Sequence, residues 1–298
     1  MARRPPTVSH PGRVVETRGR KVLVRDDAGA RDCFLSGQRA VVGDRVRWVE
    51  ARGSGGKLVA VEPRETVLRR ADLKGREQVL AANLAGLLVV TSAREPDFRG
   101  ALLHRYLVAA SRDGLEAILV LSKVDLGVPP EVEAQVALLE AEAGLRTLRT
   151  SPDDVRALSD FLAAEPGPWA LVGSSGVGKT SLIATLLPEE EVGAVAAISD
   201  YWGVGRHTTT HSRLFTLPAG GEIADSPGIR NFTPVLSDPG ELRLHFPGIG
   251  PLPCRYRDCL HRPDEDGCAA QGEVAAPLLE SYRSLLAEVT DVHRSRPR

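Results

Sequence analysis

The amino-acid sequence predicts a multi-domain protein: an N-terminal β-barrel of OB type, a central α/β domain built around a phosphate-binding loop, and a small C-terminal zinc-binding segment. Three observations carry that prediction. Five short valine-rich runs separated by turn residues precede residue 62. Apolar strands then alternate with helical stretches on either side of Gly173-Ser174-Ser175-Gly176-Val177-Gly178-Lys179-Thr180. Finally, Cys254, Cys259, His261 and Cys268 lie within fifteen residues. At 298 residues with 42% apolar side chains, the chain is long enough for two or three domains and apolar enough to bury a core in at least one of them.

The five runs are residues 13–17, 21–25, 32–35, 44–49 and 57–61. Five strands at this spacing suggest a small barrel, and the OB form is the common five-stranded solution, used repeatedly to bind nucleic acid. Residues 1–62 are therefore assigned to an RNA-facing barrel. Its only aromatics are Phe34 and Trp48, so phosphate contacts rather than base stacking should dominate. Charge supports this: residues 1–78 carry 18 basic and 10 acidic side chains, residues 79–232 carry 12 and 19, and residues 233–298 carry 8 and 10. A basic module on a chain of net charge -1 reads as a polyanion-facing surface. Cys33, alone in an apolar-polar alternation, reads as a buried small apolar side chain.

Residues 63–78 are charged and read as a linker. From 79 to 233, apolar strands at 84–91, 117–121, 169–172 and 222–224 alternate with helical stretches at 100–112, 130–142 and 155–163, which is the signature of a doubly wound parallel sheet. Beyond residue 234 the regularity fails, and a cysteine-rich segment precedes a helix at 277–289.

The phosphate loop follows the apolar strand Ala170-Leu171-Val172 and opens a helical run that includes Ser181 and ends at Pro188. Its glycines let backbone amides turn inward around phosphates, Lys179 supplies a point charge, and the Thr180 hydroxyl is placed to ligate Mg²⁺. Asp225-Ser226-Pro227-Gly228 ends another short strand. An acidic residue there reaches the magnesium through water, and the Gly228 amide senses the γ phosphate. Between the two lies Gly203-Val204-Gly205-Arg206-His207-Thr208-Thr209-Thr210, in which a threonine completes the magnesium shell; Thr209 is favoured over Thr208.

Ser122-Lys123-Val124-Asp125 follows a strongly apolar strand and resembles the guanine-reading motif of GTPases, which usually begins with asparagine. The Asp125 carboxylate can accept two hydrogen bonds from guanine N1 and N2, a donor pair adenine lacks. Serine is shorter than asparagine, so contacts tying this loop to the phosphate loop are expected to be lost and affinity reduced. Thr150-Ser151 is a candidate fifth element near the base. The order of motifs is base-reader, phosphate loop, first switch, second switch, whereas ordinary GTPases place the base-reader last. The central region, 79–233, is thus an α/β P-loop GTPase domain with circularly permuted motif order, a rearrangement that keeps each loop over its own strand.

Taken together, these motifs resemble the circularly permuted, ribosome small-subunit-dependent GTPases of bacteria. The resemblance spans nearly the whole chain, including Gly205-Arg206-His207-Thr208-Thr209-Thr210, and departs at Ser122 and at Ser226, where the family has threonine. It implies GTP hydrolysis to GDP, stimulated by the small ribosomal subunit during late maturation, with rRNA bound. Cys254, Cys259, His261 and Cys268 supply three thiolates and one imidazole, suited to a tetrahedral structural Zn²⁺ with no open position, and the resemblance points to the same four ligands.

Where Ras-like enzymes carry a water-orienting glutamine after the second-switch glycine, this chain has Ile229, which cannot hydrogen-bond. His207 is the candidate replacement, within a catalytic set of Lys179, His207, Thr209, Asp225 and Gly228. Slow intrinsic turnover is expected, accelerated when a partner orders the first switch. No run of eighteen apolar residues occurs, and Met1-Ala2-Arg3-Arg4-Pro5-Pro6 lacks a secretory apolar stretch, so a cytoplasmic monomer without a membrane partner is expected. Two other classes compete: an RNA-binding module whose nucleotide only regulates affinity, and a P-loop ATPase with an accidental Ser-Lys-Val-Asp.

Overall fold

The computed structural model describes residues 8–51, 55–71, 76–165, 167–187, 212–225 and 234–294. The alternating N-terminal runs form β1 (His10–Arg18), β2 (Lys21–Asp26), β3 (Gly29–Phe34), β4 (Arg45–Glu50) and β5 (Gly56–Val61). They pair in the order β1-β2-β3-β5-β4, and β1 pairs again with β4, which closes the sheet into a barrel. β3 and β5 run parallel and the other pairs antiparallel. That is the OB arrangement. The inward positions of the alternation, Val14, Val22, Val24, Cys33, Val46, Trp48 and Leu58, make the barrel core. Burial pushes the Cys33 thiol up to about 11, so it stays a neutral, apolar filler.

The segment read as a linker is not one throughout. Residues 67–71 form β6 (Val67–Ala71), which pairs antiparallel with β7 (Glu77–Ala82) in a separate two-stranded sheet. The adjacent arginines at 69 and 70 hid the strand period. Leu68, Leu80 and Ala81 are buried, whereas Arg69 pairs with Glu77 and Asp113 and Arg70 bonds Gln78. Half the hairpin is thus apolar and packed, and its charges are cross-strand partners rather than signs of a solvated tether.

The central sheet runs β10-β9-β8-β11-β13-β12, built from β8 (Gly86–Ser92), β9 (Glu116–Ser122), β10 (Arg146–Arg149), β11 (Pro168–Val172), β12 (Arg213–Thr216) and β13 (Glu222–Asp225). The first five in that order are parallel, and β12 pairs antiparallel with β13. Alternate residues divide between two cores. Leu87, Val89, Leu119 and Leu121 join one core with helices α1 (Gly100–Arg112) and α2 (Pro130–Ala143). Leu88, Val90, Ile118 and Val120 join the other with α3 (Arg156–Ala164) and α4 (Lys179–Leu186). Both faces are therefore covered, which is why these strands read as continuous apolar runs. The strands β10 and β12 escaped sequence reading because each has only four residues, three of them polar in β10 and two in β12.

Barrel and central domain meet along β1 and β12. Glu16 pairs with Arg213, the Thr17 N–H donates to the Ser212 carbonyl at 3.0 Å, and Arg13 forms an ion pair with Glu222 at 2.6 Å. At the other end, the helix expected at 277–289 extends over Ala276–Arg294. It buries Leu278, Leu279, Tyr282, Leu285, Leu286 and Val289 against the same core as α1, so its anchorage is hydrophobic. Among the described residues no helix is long and apolar enough to cross a membrane.

His104 of α1 is one of the contacts to that helix. It is 7% exposed, and its Nδ1 lies 2.6 Å from the Ser281 hydroxyl. Burial pulls the imidazole down to about 4. The unfolded chain takes up this proton near pH 6.5 and the folded chain only near pH 4. The stability is therefore complete above pH 6.5 and drains as pH falls toward 4, by about 3 kcal/mol at most. Thermal melting from pH 7.5 to 4.0 should show this slope, and His104→Gln should flatten part of it; an identical slope in the variant would assign the effect elsewhere.

Candidate functional site

The parallel sheet brings the carboxyl ends of β8, β9, β11 and β13 to one edge: Ser92 is in register with Ser122, Val89 with Val172, and Leu171 with Asp225. Loops leaving these ends carry the base-reader, the phosphate loop and the acidic residue, so motifs far apart in sequence share one rim.

The phosphate loop leaves β11 at Gly173 and enters α4 at Lys179, with Ser174, Ser175, Gly176, Val177 and Gly178 between. Gly173 has φ +146°, and a Cβ there would stand 2.2 Å from the Val90 carbonyl oxygen, so no other residue fits this turn. The Lys179 ammonium donates to the carbonyls of Gly173 at 2.8 Å and Ser174 at 2.5 Å, which holds it at the mouth of the loop. Thr180 and Ser181 occupy the first turn of α4, where free N–H groups and the helix dipole favour an anion.

Asp225 ends β13. Burial raises its carboxyl above the ordinary range, and the Lys179 ammonium opposes that shift. A carboxylate so desolvated is short of positive charge, which a divalent cation held with Thr180 would supply; the residues fit magnesium in that sense.

Ser122 departs from expectation. It is 3% exposed, and its hydroxyl lies 2.7 Å from the Val177 carbonyl and 3.2 Å from that of Thr91. With one proton to give, it donates over the shorter distance. The bond between base-reader and phosphate loop, expected to be lost with asparagine, is therefore made by serine, because the two loops approach closely enough for the shorter side chain.

Lys123 takes a left-handed conformation, φ 57°, and its ammonium donates to the Glu95 carbonyl. That turn starts the short 3-10 helix Val124–Leu126 and turns Asp125 outward, exposed and with no hydrogen bond or ion pair among the described residues. Thr150 braces this turn: its carbonyl accepts from the Val124 N–H at 3.2 Å, and its own N–H donates to Leu121 at 2.9 Å. The Thr150-Ser151 element thus lies beside the base-reader. His207, Thr208, Thr209, Ser226 and Gly228 lie outside the described residues.

In the C-terminal segment the ligand atoms of Cys254, Cys259, His261 and Cys268 all lie within 4.8 Å of one another. The three sulfurs stand 3.6, 3.5 and 3.5 Å from His261 Nδ1. Zinc with ordinary Zn–S and Zn–N lengths in a tetrahedron places sulfur and nitrogen about 3.6 Å apart, so the cluster has the dimensions of such a site. Burial, then hydrogen bonding to Glu265, pushes the Cys259 thiol well above its ordinary range, and burial keeps His261 neutral by lowering its pKa. A neutral imidazole is ready to ligate, whereas thiolates in this place require a cation. Arg283 donates to the His261 carbonyl at 2.8 Å and Arg243 to that of Cys259 at 3.1 Å. Neither arginine had a signal in the sequence.

The profile of the RsgA GTPase family matches residues 61–234. The small ribosomal subunit biogenesis GTPase RsgA of Marinobacter nauticus is 37% identical over 280 residues, covering 87% of this chain and 77% of that one. Its counterpart in Chromohalobacter salexigens is 39% identical over 261 residues, covering 84% and 75%. Among solved structures, YjeQ from Thermotoga maritima superposes with a TM-score of 0.71 at 25% identity, over 95% of this chain and 99% of that one. YloQ, described as a circularly permuted GTPase, gives 0.70 at 23% over the whole of both chains.

Proposed function

The chain belongs to the RsgA GTPase family and is a GTP hydrolase, and from that premise we propose that it hydrolyses GTP to GDP on the small ribosomal subunit, in the cytoplasm, during late maturation of that subunit. The observation that carries this reading is the single rim on which the exposed Asp125 carboxylate, the Lys179-bearing loop and the half-buried Asp225 stand together.

In this reading Asp125 selects guanine, since adenine would leave its carboxylate unpaired. Ser122 and Lys123 hold the base-reading turn, and Val124 is pinned by Thr150. The amides from Gly173 to Ser181 and the Lys179 ammonium bind the phosphates. Thr180, Asp225 and Thr209 would hold magnesium, which when bound neutralises developing phosphate charge. Gly228 senses the γ phosphate and His207 orients the attacking water. Cys254, Cys259, His261 and Cys268 hold one structural zinc. The basic barrel faces rRNA, and its contact with β12 lets RNA engagement bear on the strand that follows the first switch.

Steady-state GTP turnover with and without purified small subunits tests the reading. Slow basal turnover, accelerated by subunits at least tenfold, is the expected result; a rate indifferent to them would favour an RNA-binding module with incidental hydrolysis. His207→Ala should abolish most of the stimulated turnover, about 10²-fold, while GDP affinity stays within a few-fold. Unchanged stimulated turnover would remove His207 from the mechanism.

A further inference from the structure

Folding treats the two aromatics of the barrel differently. Trp48 is in the core, 2% exposed, whereas Phe34, at the end of β3, is 48% exposed and takes no part in that core. The register explains the difference. Val22, Cys33 and Leu58 point inward, so the period of two turns their neighbours Lys21, Phe34 and Lys57 outward. Phe34 pairs with Lys21 of β2 on one side and with Lys57 of β5 on the other, which sets the ring between two lysines in one row across three strands. The Lys21 ammonium lies 4.8 Å from the ring centroid. A Cβ on Gly55 would stand 3.9 Å from Phe34 Cε2, an ordinary contact, so glycine there leaves that edge of the ring uncovered.

Charge around the ring is of one sign. Arg20, Lys21 and Lys57 are exposed, and none has a carboxylate partner among the described residues. Other arginines of the barrel are paired, Arg45 with Glu65 and Arg47 with Glu62. Asp32, the acid nearest Phe34 along β3, faces Arg18 at 3.7 Å. An apolar ring that reaches water beside cations no acid neutralises is complementary to an anion with a flat apolar face, and a nucleotide has both parts. The outer face of a barrel is convex and gives a peptide side chain no pocket, whereas a base needs only a flat ring. A duplex covers its base faces, so the fit is to a single strand, whose unstacked bases can lie on an aromatic side chain.

We propose that Phe34 is a stacking platform for one base of single-stranded RNA, with Lys21 and Lys57 taking the phosphates on either side of it. Phosphate contacts still supply most of the barrel's affinity, and Phe34 marks where on the barrel an unpaired strand lies. The inference rests on the barrel being the RNA-facing part of the chain.

Fluorescence anisotropy of a fluorescein-labelled oligouridylate, titrated with the full-length protein over a range of KCl concentrations, tests it in Phe34→Leu, Phe34→Tyr, Lys21→Gln and Lys57→Gln. Phe34→Leu should weaken binding about tenfold at every salt concentration, the scale of one stacked base, and Phe34→Tyr should hold the parental affinity within about twofold. Each lysine variant should lower the slope of log affinity against log salt by about 0.7, the share of one phosphate on a single strand. All four should melt as the parent does, since these side chains lie outside the barrel core. Parental affinity in Phe34→Leu, an equal loss in Phe34→Tyr, or parental salt slopes in both lysine variants would each overturn the proposal. Parental RNA affinity in Phe34→Leu combined with weakened binding to small subunits would give the ring to a protein partner instead. A parent protein that binds no oligonucleotide would sink the RNA-facing reading of the barrel, and the platform with it.

Discussion

Lys179→Ala is expected to lower GTP turnover by roughly 10²–10³-fold, about 3–4 kcal/mol of lost transition-state stabilisation. The ammonium is the only side-chain cation that the described residues place in the phosphate loop, held there by the Gly173 and Ser174 carbonyls. Charge on the transferring phosphoryl group grows toward the transition state, and no backbone amide can replace a full positive charge in that cradle. The fold should survive. Removing Lys179 breaks two hydrogen bonds within one loop, while Leu182 and Ile183 of α4 remain packed in the sheet core. Single-turnover kinetics with a melting curve separate the two effects: retained melting with retained turnover would show that the loop does not serve the chemistry.

Cys259→Ser is expected to release the metal and unfold residues 254–268 locally, while the GTPase core melts nearly as before. Between those positions Cys259 and His261 are the buried residues, so the segment has almost no apolar core of its own. Structural zinc typically contributes about 10–16 kcal/mol to the folding of such segments, and three ligands cannot keep most of it. The C-terminal helix draws its stability from Leu278, Tyr282, Leu285 and Leu286 in the main core, and should stay docked. Metal content by chromogenic chelator, together with limited proteolysis, reads both parts. One zinc per chain in the parent, with new cleavage confined to 254–268 in the variant, is the expected pattern; parental zinc content in Cys259→Ser would remove that thiol from the ligand set.

Much of this architecture was legible because its signals are local. Valine alternation marked the barrel strands, buried-strand runs marked β8 and β9, and Gly-x4-Gly-Lys-Thr fixed a strand-loop-helix setting by itself. The cluster of Cys254, Cys259, His261 and Cys268 was legible because a set of residues that could hold a metal ion must bring its atoms close in space, and these four stand near one another in sequence as well. What escaped depends on distance across the fold. The hairpin of β6 and β7 hid behind adjacent arginines, and the partners of Arg69 are Glu77 on the facing strand and Asp113 just beyond α1. The contact expected to be lost at Ser122 is made because its determinant is also a distance across the fold: side-chain length was visible in the sequence, but the approach of the Val177 carbonyl to within 2.7 Å was not.

The central claim is that loops out of their usual order converge on one rim, where Asp125 reads guanine while Lys179 and its loop hold the phosphates. Competition of GTP against ATP for the purified protein, repeated with Asp125→Ala, tests it most directly. The account predicts that GTP outcompetes ATP by about 10⁴-fold and that the alanine variant loses nearly all of this preference while its residual nucleotide binding still requires Lys179. Equal affinity for the two nucleotides in the parent, or undiminished preference for GTP in Asp125→Ala, would contradict it.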